Sequence, residues 1–250
     1  MSTRIAIFGI TGIPDISEGD DLANLFIEAL EKQGESLESG DVLVVTQKVV
    51  SIAEGRVVHL SEVKPSPFAK QLAATIDREP RLVETVLRES NRIVRSTKNV
   101  LLTETRHGFI CANSGVDKSN IGGGLAVLLP VNPDESAARI RQSLESYYGV
   151  SLAVVICDTF GRPWRMGQTN VAIGLSGISA FADYRGQNDP YGNTMSVTQI
   201  AIADELASAA ELVMGKFDKV PLAVVRGYEY LVSDEKATHL VRPKEMDLFI

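Results

Sequence analysis

The sequence predicts an α+β fold, with mixed and antiparallel sheets and flanking helices. Three observations carry this. Strand-like and helix-like segments alternate along the 250 residues, several neighbouring strands have no helix between them, and an apolar content of 44% is enough to bury a large core. Length allows one domain over 1–250 or two intimately packed subdomains.

The elements follow in order. Arg4–Phe8 reads as a strand and Gly9–Pro14 as a turn. Asp20–Gly34 carries Leu22, Leu25, Phe26, Ala29 and Leu30, the stripe of an amphipathic helix. Asp41–Thr46 is a short, continuously apolar strand of the fully buried kind. Two short helices, Pro67–Ile76 and Arg81–Glu89, are separated by Pro80. Val100–Thr103 and Gly108–Ala112 read as strands of a hairpin around Arg106-His107-Gly108. Asn132 caps a helix over Pro133–Tyr148, with proline in the first position and Glu135 placed for a capping box. Leu152–Cys157 is another buried strand, running into the polar cluster Asp158–Gln168. A turn-rich loop over Gly186–Asn193, the longest helix over Ser196–Met214, the loop Gly215–Lys219 and a strand over Val220–Arg226 complete the pattern.

Composition removes several function classes. Twenty-five basic against 32 acidic residues give a net charge of −7, which disfavours a generic nucleic-acid binder. No apolar run approaches the roughly 20 residues of a membrane span, and the N-terminus lacks a secretory leader, so a cytoplasmic protein with no membrane partner is expected. The two cysteines, Cys111 and Cys157, lie in apolar runs and read as buried free thiols. His59, His107 and His239 are scattered without metal-ligand spacing, which argues against zinc hydrolase chemistry. No Gly-x-Ser-x-Gly elbow, phosphate loop or dinucleotide fingerprint is present.

Chemistry-bearing residues gather instead at the ends of apolar strands. One run is followed by Asn113-Ser-Gly-Val-Asp-Lys-Ser-Asn120, another by Asp158-Thr-Phe-Gly-Arg-Pro-Trp-Arg165. Each supplies one carboxylate, Asp117 or Asp158, beside an amide or hydroxyl, Asn120 or Thr159. Hard cations such as Mg²⁺ or Mn²⁺ take such oxygen ligands together with water and substrate phosphate. Either aspartate alone is equally a turn or cap residue. Arg162 and Arg165 add two guanidinium forks suited to phosphate or carboxylate; the other reading is that they flank a buried core anchor, Trp164. Lys48 leaves the strand Asp41–Thr46 as a phosphate ligand or as a solvated charge, and the turn at Gly12–Asp15 offers backbone amides to a base or phosphate. Together these residues point to an enzyme that uses a metal and a nucleotide.

At these same positions the chain resembles the coenzyme F420-0:L-glutamate ligase family, also called the F420-0:gamma-glutamyl ligase family. The resemblance rests on Gly12-Ile-Pro-Asp15, Gly40-Asp-Val-Leu-Val-Val-Thr-Gln-Lys48, Ser51-Ile-Ala-Glu-Gly-Arg56, Asn113–Asn120, Asp158–Arg165, Asp189-Pro-Tyr-Gly192 and Met214-Gly-Lys-Phe-Asp218. These stretches occur in family order over roughly Arg4 to Arg226.

The resemblance implies the fold of that family, an intertwined homodimer, and GTP-dependent ligation of L-glutamate to coenzyme F420-0. GTP would phosphorylate the acceptor carboxylate, glutamate would displace the phosphate, and a short γ-linked polyglutamate tail would grow. It assigns divalent metal ligation to Asp117, Asp158 and Thr159. Nucleotide contacts fall on Gly12, Ile13, Pro14, Asp15, Gln47, Lys48, Asn120, and the loop Met214, Gly215, Lys216, Phe217, Asp218, Lys219 and Val220. Asp158, Arg162 and Arg165 are the catalytic candidates, the two arginines for acyl-acceptor or phosphate binding.

Two departures stand out. Ile52 stands where many members of the family have a lysine, and Lys216 where archaeal-type members have an acidic residue able to serve a second metal. A ligase acting on a different carboxylate acceptor and a non-catalytic nucleotide- or deazaflavin-binding protein are the competing readings. Some bacterial relatives carry a C-terminal flavin reductase domain; with 250 residues here, ligase chemistry alone is expected.

Overall fold

A computed structural model describes residues 4–119 and 122–248. It is an α+β fold around a five-stranded mixed sheet. The strands are β1 (Ala6–Ile10), β2 (Val42–Thr46), β8 (Ala153–Arg162), β9 (Arg165–Ser176) and β12 (Leu222–Arg226), in the order β1-β12-β2-β8-β9. Only β2 and β8 pair in parallel, Val42 facing Ala153 and Thr46 facing Cys157; the other neighbours are antiparallel.

Val42, Leu43, Val44 and Val45 are all fully buried, so both faces of this sheet are covered, as an uninterrupted apolar strand requires. The cover comes from helices α1 (Leu22–Gln33), α5 (Pro133–Tyr148) and α6 (Ile202–Met214). Helix α6 packs across β1, β12, β8 and β9, while α5 packs on β8, β9 and α1. Asp21 caps α1 through its carboxylate and Gly34, in the left-handed region, closes it; Asn132 caps α5 by accepting from the Glu135 backbone N–H.

The long crossover between β2 and β8 holds a second apolar cluster. It includes helices α3 (Pro67–Ile76) and α4 (Pro80–Arg88) and the antiparallel sheet of β4 (Ser90–Thr97), β5 (Val100–Thr105) and β6 (Ile110–Ala112). The short ladder of β3 (Val57–His59) and β7 (Leu125–Val127) lies alongside. A further ladder joins β10 (Ala182–Asp183) to β11 (Gln199–Ile200).

Several expectations change. Strand β2 passes directly into helix α2 (Gln47–Ala53), so Lys48 lies in a first helical turn rather than in a strand exit. Pro80 opens α4, capped by the Glu79 carboxylate, instead of separating two helices. The final long helix begins only at Ile202, because Gln199 and Ile200 pair with β10; α5, with 16 residues, is longer than α6, with 13. The strand expected over Leu152–Cys157 does not stop at the polar cluster Asp158–Gln168 but continues into it as far as Arg162. The cluster is the arm of the β8–β9 hairpin, whose turn residue Trp164 has a positive φ and is 77% exposed, so it anchors no core in this chain. Cys111 and Cys157 are buried free thiols, as expected.

Candidate active site

One edge of the main sheet collects most of the predicted residues. The C-terminal ends of β1, β2 and β8 and the N-terminal end of β12 share that edge, because Ile10 pairs with Leu222, Leu222 with Val45, and Thr46 with Cys157. The edge therefore carries the Gly12–Asp15 turn, Gln47 and Lys48, Asp158 and Thr159, and the loop before β12. Lys219 donates to Asp15 at 2.9 Å, tying the two outer loops together on the surface.

Asp117 reaches this edge from the crossover. Its backbone exchanges hydrogen bonds with Val127, and its carboxylate lies 2.7 Å from Lys48 Nζ. Lys48 also donates to the Ser119 carbonyl at 2.7 Å, and the Ser119 N–H and hydroxyl donate to the Asp117 carboxylate. Burial pushes the Asp117 carboxyl upward, but Lys48 and Ser119 outweigh it and hold the group below its ordinary value.

Asp158 behaves in the opposite way. Burial, with the neighbouring charge of Asp117, pushes its carboxyl up to about 6, against the pull of the Thr159 N–H, Lys216 and Lys48. Its charge also helps push the buried Cys111 thiol, already raised by desolvation, to about 12, so that thiol is not a nucleophile.

Thr159 faces Asn170 across the hairpin, and its Oγ1 donates to Asn170 Oδ1 at 2.7 Å. Asn170 is buried and donates through Nδ2 to Glu211 Oε2 at 2.7 Å. Lys216 closes the circuit, donating to Thr159 Oγ1 at 2.5 Å and standing 3.4 Å from Glu211 Oε1. Asn170 and Glu211 were missed by sequence reasoning. The hairpin register would have found Asn170, since it is the direct cross-strand partner of Thr159; Glu211 shows no sign in its own sequence context.

Other predicted residues fall differently. The Gln47 side chain is buried, and its Oε1 accepts from the Ser51 hydroxyl at 2.8 Å. Ile52 sits one helical turn after Lys48, on the same face of α2. Arg162 and Arg165 pair at the tip of the hairpin arm, and Arg162 donates to the Met166 carbonyl. In an extended strand, four residues place Arg162 about 13 Å beyond Asp158. Asn120 lies outside the described residues. An open groove of about 590 Å³ between β11 and α6 contains none of the predicted residues.

Whether this edge fits a divalent cation is decided by its donors. A carboxylate has about four acceptor positions. Among the described residues, Asp117 has three taken, whereas the Asp158 carboxylate is favoured only by the nearby Thr159 N–H and the charges of Lys216 and Lys48. Two carboxylates close enough to repel each other, one raised chiefly by its burial, suit a hard cation. No group of three or more His, Cys, Asp or Glu able to hold a metal occurs among the described residues, so the remaining ligands would be water or substrate oxygens.

A two-carboxylate, two-lysine edge on a mixed sheet, flanked by two loops, has the chemistry suited to a phosphate-handling class of site. The comparisons with known proteins narrow the class. The sequence model of the F420-0:Gamma-glutamyl ligase family matches residues 11–227, and the chain belongs to that family. Among its relatives, a coenzyme F420:L-glutamate ligase of Methanothermobacter thermautotrophicus is 46% identical over 248 residues, 98% of each chain. That of Methanopyrus kandleri is 45% identical, covering 94% of this chain and 93% of its own. That of Methanocaldococcus jannaschii is 44% identical over 85% of this chain and 86% of its own.

Proposed function

We propose that this protein is a GTP-dependent ligase that adds L-glutamate to coenzyme F420-0 and builds a γ-linked polyglutamate tail. The observation that carries the reading is the meeting of Lys48, Asp117, Asp158, Thr159 and Lys216 at one sheet edge, within a family whose curated relatives carry that name. The relatives match nearly end to end, which favours F420-0 over another carboxylate acceptor.

A carboxylate resists amide formation because its charge repels an amine and oxide is a poor leaving group. The acceptor carboxylate oxygen attacks the γ-phosphorus of GTP, and GDP departs with the electron pair of the broken bond. The glutamate amine then attacks the acyl carbon, loses a proton, and expels phosphate. Lys48 and Lys216 place two ammonium groups where phosphate charge collects, and the turns at Gly12–Asp15 and Met214–Val220 offer backbone N–H groups to the nucleotide. Asp117 and Asp158 would hold Mg²⁺ or Mn²⁺, which when bound screens the charge of the transferring phosphoryl group.

The hairpin arm supports a homodimer. Residues 161–168 are all exposed, and the arm presents Trp164 and Met166, with Met166 94% exposed. An apolar patch on such an arm fits burial by a second copy, which would also bring Arg162 and Arg165 against protein. Sedimentation should give a dimer for the parent and a monomer for Trp164→Asp/Met166→Asp; a monomeric parent contradicts this part of the reading. No helix among the described residues is long and apolar enough to cross a membrane.

The test is mass spectrometry of F420-0 incubated with the protein, GTP, L-glutamate and Mg²⁺ or Mn²⁺. Products spaced by one glutamyl unit, absent without GTP, are expected. Absence of any product, with F420-0 still bound, supports a non-catalytic binder. Phosphate release with another acceptor in place of F420-0 supports the rival ligase.

A further inference from the structure

Thr159 is the point on which the polar contacts of this edge converge. Its hydroxyl hydrogen goes to Asn170 Oδ1, and one of its two lone pairs accepts from the Lys216 ammonium at 2.5 Å. Glu211 leans on the same ammonium through Oε1, 3.4 Å away, while Asn170 holds its Oε2. Lys216 also acts on the Asp158 charge. With the ammonium removed, the space is bordered by the Thr159 hydroxyl oxygen and the Glu211 carboxylate, within reach of the Asp158 charge, a hard-oxygen setting of the kind that binds a divalent cation. With the ammonium present, a dication on Thr159 Oγ1 would share one oxygen with a positive charge at hydrogen-bond distance, and Coulomb repulsion excludes it.

We propose that the Lys216 ammonium is a built-in cation that fills the position at Thr159, so that this chain takes one divalent ion, between Asp117 and Asp158, and none on Thr159. The inference rests on the metal part of the ligase reading. Lys216 thereby acts as a fixed charge beside the transferred phosphoryl group, and Asn170 and Glu211 act as positioning residues that aim it. Because a lysine charge needs no free metal, the Thr159 side of the edge stays cationic when divalent ions are scarce.

The test is titration of Mn²⁺ alone into the full chain at neutral pH, with the free ion counted by its electron paramagnetic resonance signal. The parent should bind one Mn²⁺ per chain. Lys216→Ala and Lys216→Glu should each bind two, and Lys216→Glu/Thr159→Val should return to one, with circular dichroism verifying that every variant is folded. Two ions in the parent overturn the proposal, as does a count of one in the Lys216 variants. A parent that binds none overturns the Asp117–Asp158 metal reading itself, a failure distinct from the other two.

Discussion

Lys48 Nζ stands 2.7 Å from the Asp117 carboxylate, joining a helix that leaves the main sheet to a segment that follows the smaller core. Neither residue is near the other in sequence, and each is only partly exposed. The contact fixes where the crossover meets the sheet edge, and with it the position of one carboxylate relative to Asp158.

Lys48→Met is therefore expected to lower the ligation rate about a hundredfold, the usual loss when one charge-stabilising donor is removed from a transferring group. The stability cost should be small, about 1 kcal/mol, since the pair retains solvent contact. Steady-state kinetics beside urea unfolding separates the two effects. An unchanged rate would remove Lys48 from the phosphate site.

Asp158→Asn should trade stability against activity. Between the ordinary value of 3.8 and the folded value of about 6, the folded parent holds a proton that the unfolded chain has lost, so parent stability falls as pH rises through that window. The amide keeps the shape and carries no charge. Without added metal at neutral pH, the variant should resist unfolding by on the order of 3 kcal/mol more than the parent, and the difference should vanish below the unfolded value. Ligation should be nearly abolished. A variant no more stable than the parent at neutral pH would contradict the raised Asp158 value.

Asn170 is buried with both ends of its amide engaged, by Thr159 and by Glu211. Asn170→Ala should cost about 2 kcal/mol, because it leaves the Thr159 hydroxyl and the Glu211 carboxylate short of partners. Asn170→Asp should be worse for activity, since it sets a second carboxylate against Glu211. If thermal unfolding and kinetics show neither loss, the Thr159 circuit has no role in aligning the site.

Gly174 lies in β9 under the start of α5, where a Cβ would come within 2.6 Å of the Pro133 carbonyl group. Backbone does not yield as a flexible side chain does, so Gly174→Ala should push the helix off the strand and cost about 2 kcal/mol. The tether to be disturbed is visible: Asp134 accepts from the Leu175 and Ala237 backbone N–H groups. Denaturant unfolding should give the loss; a neutral result would mean that α5 can shift without penalty.

Local order was legible wherever one residue pattern meets one structural period. The run Val42–Val45 reads as a doubly covered strand, the stripe from Leu22 to Leu30 as a helix face, and Asn132-Pro133 as a helix start, because each signal lies within a few residues. That Lys48, Asp117, Asp158 and Thr159 group as candidates was legible from the order of the motifs, although Lys48 lies in a helix and Asp158 and Thr159 lie within β8 rather than at a strand end. Pairing was not. That Asp158–Gln168 is a hairpin arm, that Trp164 stands in solvent, and that Gln47 turns inward depend on what lies across the strand or above the helix. Asn170 and Glu211 enter the site only through the register of β8 against β9 and the packing of α6. Sequence by itself determined the α+β class, the apolar strands and the residue types able to handle phosphate and metal. Tertiary structure alone decided which charges meet: hydrogen bonds and ion pairs act over a few ångströms, and only the folded sheet edge brings Lys48 to Asp117 and Lys216 to Thr159.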